Sequence, residues 1–211
     1  MADRQVTLID HHINNLQSIR NALLAVGATV RVVHDASELD GAGHVLLPGV
    51  GAFAQSMDNL RERGFVPAIR EHVAAGRPFM GICLGFQVMF DSSDEHGEQR
   101  PGGCHEGLGL VHGRVERFRT SLHVPHVGWN GLLTQGDHPL FRGIDSGAHM
   151  YFVHSYHPVG VDESVVIGRS DYDYSFVCAV ASGSAVGTQF HPEKSGADGL
   201  RVLRNFLDWR P

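Results

Sequence analysis

The sequence is short of several things, and each shortage excludes a class of protein. It has three cysteines, Cys83, Cys104 and Cys178, with no CxxC pair. A disulfide scaffold needs more cysteines and an ordinary zinc ribbon needs closely paired ones. No apolar run approaches the ~20 residues that cross a bilayer, so no membrane role is expected. The N-terminus lacks the basic, apolar, small-residue pattern of a secretory signal, so a cytoplasmic protein is expected. Basic charge is scarce: 17 Lys+Arg against 23 Asp+Glu leave a net charge of −6, which argues against a nucleic-acid-binding surface. Charged residues make up only 19% against 42% hydrophobic, a balance foreign to disordered chains.

What remains is 211 residues, enough chain to bury a sizeable core. It reads as a single domain over 1–211, with no linker, internal repeat or low-complexity segment. Two counts stand out, 15 His and 26 Gly. The histidines invite a metal reading and the glycines a loop-built active site.

The first third alternates strand and helix. Val6–Ile9 is a short apolar run suited to a buried parallel strand. Leu16, Ile19, Leu23 and Val26 keep helical spacing, and Gly27 ends that helix. Thr29–Val33 and His44–Leu47 read as further strands, the latter stopped by Pro48-Gly49. Phe53–Arg63 and Val66–Ala75 read as helices, Pro78–Ile82 as a fourth strand, and Leu84–Phe90 as the start of another helix. This βαβ series predicts an α/β fold, a mostly parallel central sheet with helices on both faces. Residues 92–107 are polar and Gly-rich and read as a surface loop. A smaller set of strands follows at Gly113–Phe118, Met150–Val153, Val165–Arg169, Phe176–Val180 and Ala185–Phe190, then a helix over Gly196–Trp209.

Gly81-Ile82-Cys83-Leu84-Gly85 falls where a buried strand becomes a helix. This is a G-x-nucleophile-x-G elbow with Cys in the central place. The glycines relieve the clashes of a strained turn, and the following helix aims free N–H groups at the sulfur, favouring the thiolate. A buried Cys in a Gly-flanked turn is the competing reading. A thiolate that attacks an amide needs a proton donor for the leaving amine, normally His. His191-Pro192-Glu193 follows a strand, and residues two apart in extended chain point the same way, so Glu193 can orient His191. Pro48-Gly49-Val50-Gly51-Ala52-Phe53 follows the third strand. Its backbone amides near Gly49 and Val50, with that of Leu84, are candidate donors to an oxyanion. An ordinary turn, or a phosphate loop without its Lys-Ser/Thr, are the alternatives there.

PGVGAF, GICLGFQ and QFHPEKS together, in this order, resemble the class I (triad-type) glutamine amidotransferases. Gly107–Leu110, the run Pro125-His126-Val127-Gly128-Trp129-Asn130 and the run Tyr151-Phe152-Val153-His154-Ser155-Tyr156 are similar to the glutaminase subunits of imidazole glycerol phosphate synthases. The resemblance covers residues 5 to 208. It implies a flavodoxin-like amidotransferase fold, with Cys83 as nucleophile, His191 as base then acid, and Glu193 as orienter. It implies that Gln87, Glu95, Ser155 and Tyr156 hold glutamine, which becomes glutamate and ammonia through a Cys83 thioester, with no cofactor. The ammonia would pass to a separate (β/α)₈-barrel synthase subunit in a heterodimer of histidine biosynthesis. There it yields imidazole glycerol phosphate and an aminoimidazole carboxamide ribotide. Asn15, Trp129 and Lys194 would lie at or near that partner.

One departure bears on the partner. The family usually has Asp-Tyr-Gly-x-Gly-Asn after the first strand, where this chain has Asp10-His11-His12-Ile13-Asn14-Asn15. Both glycines are replaced, so the loop takes another backbone path. The same chemistry serving a paralogous synthase of surface sugars is the alternative this loop raises. A metal-binding module is the third reading, resting only on the His count. The spacing of His96, Cys104, His105 and His112 fits no compact ligand set, so no metal is expected.

Overall fold

Val6, Leu8, Val45, Leu46, Leu47, Phe79 and Met80 are all wholly buried. Successive strand side chains point to opposite faces, so strands buried along their length need cover on both. The computed structural model, which describes residues 4–11, 16–96 and 103–211, supplies that cover. Strand β1 (Gln5–Ile9) leads to helix α1 (Leu16–Ala25), β2 (Thr29–Val33), β3 (His44–Gly49), α2 (Phe53–Glu62), α3 (Phe65–Ala74), β4 (Phe79–Cys83) and α4 (Leu84–Gln87). There follow β5 (Phe90–Ser93), β6 (His105–Glu106), β7 (Val111–Arg117), β8 (His126–Thr134), β9 (Ala148–His154) and β10 (Tyr156–Val159). The chain closes with β11 (Val166–Tyr172), β12 (Tyr174–Ser182), β13 (Ala185–Thr188) and α5 (Gly196–Asp208).

Nine strands form one sheet in the order β2-β1-β3-β4-β13-β12-β11-β8-β9. It is parallel from β2 to β13 and antiparallel beyond. A second sheet has the order β10-β7-β5-β6. Ile19 and Leu23 of α1 and Val202, Leu203 and Phe206 of α5 join Leu8 and Leu46 in one core cluster. Met57 and Leu60 of α2 and Phe65 and Ile69 of α3 join Val45, Leu47 and Phe79 in the other. The neighbours Leu46 and Leu47 thus serve opposite layers. Each fully buried side chain of this size contributes on the order of 1.5–3 kcal/mol.

The second half differs from expectation in places. The helix after Cys83 is one turn long, not a run to Phe90; Phe86 and Phe90 meet edge-on at 5.2 Å as the chain turns into β5. Part of the expected 92–107 loop is strand, in β5 and β6, while 97–102 lie outside the described residues. The nine-residue β8 escaped prediction because Val127 and Trp129 are apolar yet exposed, which erases the apolar/polar alternation of a half-buried strand. β10 also went unread, being short with Pro158 inside it.

Between the sheets Phe118 gathers a box of rings: His126, His154, His157, Tyr172, Tyr174 and Phe176. His126 stacks on Tyr172 at 4.1 Å and on Phe152 at 5.1 Å. Burial pushes the pKa of His126 down to about 4 and that of His154 to about 3 from an ordinary 6.5. The unfolded chain protonates these rings near 6.5 and the folded one does not, so unfolding takes up protons in between. Their stabilising contribution is complete above 6.5 and falls with pH toward the folded values. The urea midpoint is therefore expected to drop between pH 7 and 4.5, and to drop less in His126→Phe. Parallel losses in both proteins would show that His126 does not titrate this way.

Candidate active site

Cys83 ends β4 with φ 54° and ψ −107°, a positive φ that side chains rarely adopt and that stores strain. The turn survives because its neighbours lack side chains. A Cβ on Gly85 would lie 1.9 Å from the Leu47 carbonyl oxygen, and one on Gly81 2.4 Å from that of Gly85. β3 and β4 are in register with Gly49 opposite Cys83, so both loops open at the carboxyl end of the parallel strands. Gly49 also packs on α4, where a Cβ would come within 3.0 Å of the Leu84 Cβ.

The candidate base, His191, follows β13. His191 and Glu193 are adjacent, with Nδ1 2.8 Å from the Glu193 Oε1 and both side chains 2% exposed. The route to that contact differs from the extended segment expected. His191 itself is extended, but Pro192–Lys194 form one turn of 3₁₀-helix that carries Glu193 back beside the ring. The His191 N–H donates to the Tyr151 carbonyl at 2.9 Å, and the Ser195 hydroxyl donates to the His191 carbonyl at 2.6 Å, which fixes the backbone. Burial by itself lowers the His191 pKa; the neighbouring Cys83 and then Glu193 outweigh burial and raise it. The imidazolium is favoured beside these two groups. Its stabilising contribution is complete below 6.5 and is lost as pH rises through the raised value.

A pocket of about 250 Å³ opens over the sulfur, room for roughly eight waters at ~30 Å³ each. Val50, Gly51 and Leu84 line it together with Gln87, Glu95, Ser155 and Tyr156. The candidate oxyanion residues Val50 and Leu84 are thus brought together with the substrate candidates, while Gly49 is not among the lining residues. Glu95 accepts from the Phe53 N–H, the first amide of α2, for which Ala52 offers no side-chain cap. Gln87 donates to the Tyr156 carbonyl oxygen at 3.0 Å, and the His154 ring bonds to the same oxygen through Nδ1 at 2.8 Å.

Trp129, 55% exposed, meets the Tyr151 ring at 6.1 Å, and Lys194 Nζ lies 5.6 Å from that ring's centre. Lys194 is the only lysine in the sequence. These two candidate interface residues share a surface whose central residue, Tyr151, bonds the His191 backbone. Asn15 lies outside the described residues. Among the described residues no group of three or more His, Cys, Asp or Glu is arranged to hold a metal ion.

One residue at the sulfur went unread in the sequence. Gln189 is wholly buried, with Nε2 3.7 Å from the Cys83 Sγ. Its position two before His191 in QFHPEKS, on the same side of an extended segment, was the available signal.

The chain matches a family model described as glutamine amidotransferase class-I over residues 7–209. It is 45% identical over 210 residues to the imidazole glycerol phosphate synthase subunit HisH of Sulfurimonas denitrificans, covering 97% of this chain and 98% of that one. The protein of the same name from Syntrophotalea carbinolica is also 45% identical, covering 96% of this chain and 99% of its own. Among solved structures, a glutamine amidotransferase superposes with a TM-score of 0.75 at 22% identity, covering 96% and 97% of the two chains. A chain of PurLQS from Thermotoga maritima superposes with a TM-score of 0.76 at 19% identity, covering 97% of each. These last two likenesses concern the fold.

Two outcomes are expected. Gly85→Ala should destabilise the protein by about 3 kcal/mol or more in urea unfolding, because the clash is with backbone. In Glu193→Gln the His191 ring, followed by NMR, should titrate at lower pH than in the parent protein, since the carboxylate that favours its cation is gone.

Proposed function

The chain belongs to the class I glutamine amidotransferases, and from that membership we infer that it is the glutaminase subunit of an imidazole glycerol phosphate synthase, working in histidine biosynthesis. What carries the chemistry is the buried His191–Glu193 pair beside an elbow cysteine at the floor of a pocket. Relatives 45% identical over nearly their full length support the choice of synthase.

Glutamine enters with its side-chain amide over Cys83. Gln87, Glu95, Ser155 and Tyr156 hold its amino-acid end. The Cys83 Sγ attacks the amide carbon, and the carbonyl oxygen becomes an oxyanion facing backbone amides of Leu84 and the Gly49-Val50 segment. The C–N bond breaks, and His191 Nε2–H passes its proton to the departing nitrogen, which leaves as ammonia. A water then attacks the thioester, giving its proton to His191. The C–S bond breaks, glutamate leaves, and the thiolate–imidazolium pair is restored. Glu193 stays ionised throughout and holds the ring in one orientation.

As a synthase subunit the chain works with a separate cyclase subunit. We assign that partner a (β/α)₈ barrel in a heterodimer, docking over Trp129 and Lys194 so that ammonia passes between subunits. Closure of the site by the partner prevents wasteful hydrolysis. Glutamate release should be slow for the chain alone and should rise on adding the cyclase subunit with its ribonucleotide. Cys83→Ala should lower the stimulated rate by at least about 10³-fold. An active Cys83→Ala protein would refute the mechanism. Failure to complement a strain lacking its histidine-pathway glutaminase would refute the assigned synthase.

A further inference from the structure

Resting on Cys83 as the nucleophile, we propose that Gln189 is a further catalytic residue: its side-chain N–H binds the reacting sulfur, and Gln87 fixes which end of its amide does so. Gln189 lies just past β13. Its backbone N–H donates to the Cys178 carbonyl at 2.8 Å, and its side chain is wholly buried. Nε2 stands 3.7 Å from the Cys83 Sγ, and Oε1 accepts from the Gln87 Nε2 at 3.1 Å.

An amide presents either an acceptor or a donor, so its orientation must be settled by groups that have no choice. The Tyr156 carbonyl oxygen is such a group, since it only accepts. It takes a hydrogen bond from Gln87 at 3.0 Å, so that end of Gln87 is the NH₂. The NH₂ then requires oxygen from Gln189, and the remaining end of Gln189, its own NH₂, faces the sulfur. Turning Gln189 over would oppose two NH₂ groups and aim a carbonyl oxygen at a thiolate.

A donor to an anion in a buried site is worth more than the same donor in water. The Gln189 N–H stabilises the thiolate before attack. It does so again when the thioester C–S bond breaks and the electron pair returns to sulfur. In the intervening thioester the sulfur is neutral and the same N–H gains less. Gln189 therefore assists the hydrolytic half of the cycle, in which sulfur is the leaving group. His191 supplies charge and protons, while Gln189 supplies a fixed neutral dipole that never exchanges its proton.

The test uses the full chain with its cyclase partner. Gln189→Met keeps the length of the side chain and removes both polar ends of the amide. Gln189→Glu keeps an acceptor for Gln87 and removes the donor. Both are expected to lower kcat for glutamine hydrolysis by about tenfold or more, with KM changing less. Acid-quenched samples should hold more Cys83 thioester than the parent, seen as added mass. Alkylation of Cys83 by iodoacetamide at pH 7 should slow several-fold while the thermal midpoint stays near that of the parent. A merely structural role would move the midpoint and leave thioester occupancy unchanged. If Gln189→Met fails to fold, Gln189→Glu decides, and parental kcat, alkylation rate and thioester level in a folded variant overturn the proposal. Cys83→Ala runs in the same assay. If it hydrolyses glutamine, the nucleophile assignment fails; if it is inactive while the Gln189 variants match the parent, only the role of Gln189 fails.

Discussion

The site depends on how closely α4 lies against β3. The Gly85 backbone sits so near Leu47 that a single methyl would overlap the carbonyl oxygen at 1.9 Å. That approach forces the chain to turn at Cys83 within one residue, which is why Cys83 takes φ 54°. The same approach brings Gly49 level with the cysteine. Candidate nucleophile and oxyanion donors are therefore set by one steric constraint. Local strain at Cys83 is tolerated because the flanking strands are buried on both faces by two separate core clusters.

Burial is applied to histidine in two opposite ways. Around Phe118 it acts without an anion to oppose it, and His126 and His154 are held neutral. At His191 the same desolvation is overcome by Cys83 and Glu193, and the cation is favoured. The regions touch, since His154 lines the pocket that holds Cys83. The cation is thus favoured at His191 while His126 and His154 stay neutral. Of the 15 histidines, His11, His44, His72, His105, His126, His154 and His157 pack in the interior, and His191 is set apart by its partners.

The outer surface is tied to this centre through Tyr151. Its ring meets Trp129 and Lys194, and its carbonyl accepts the His191 amide. A subunit that covered this patch would press on β9, whose Tyr151 carbonyl accepts the His191 amide. The candidate interface residues Trp129 and Lys194 thus touch a residue that is one hydrogen bond from His191.

Much of this was legible in the residues themselves. The apolar runs of the parallel strands, the helical spacing of α1 and α5, and the glycines about Cys83 report local sterics and burial, which short stretches of sequence encode. Cys83, His191 and Glu193 could be proposed from the elbow and HPE segments together with the family resemblance, and the structure brings His191 and Glu193 into contact. What only the tertiary structure decided has a common cause: it depends on partners distant in the chain. β8 was hidden because Val127 and Trp129 are apolar yet exposed. The His191–Glu193 contact needed a 3₁₀ turn that two-residue alternation does not foresee. Gln189 meets Cys83 across 106 positions, and the direction of its amide is settled by Tyr156 through Gln87. A hydrogen-bond chain of that kind has no period and no motif, and it exists only once three separate elements have packed around one sulfur.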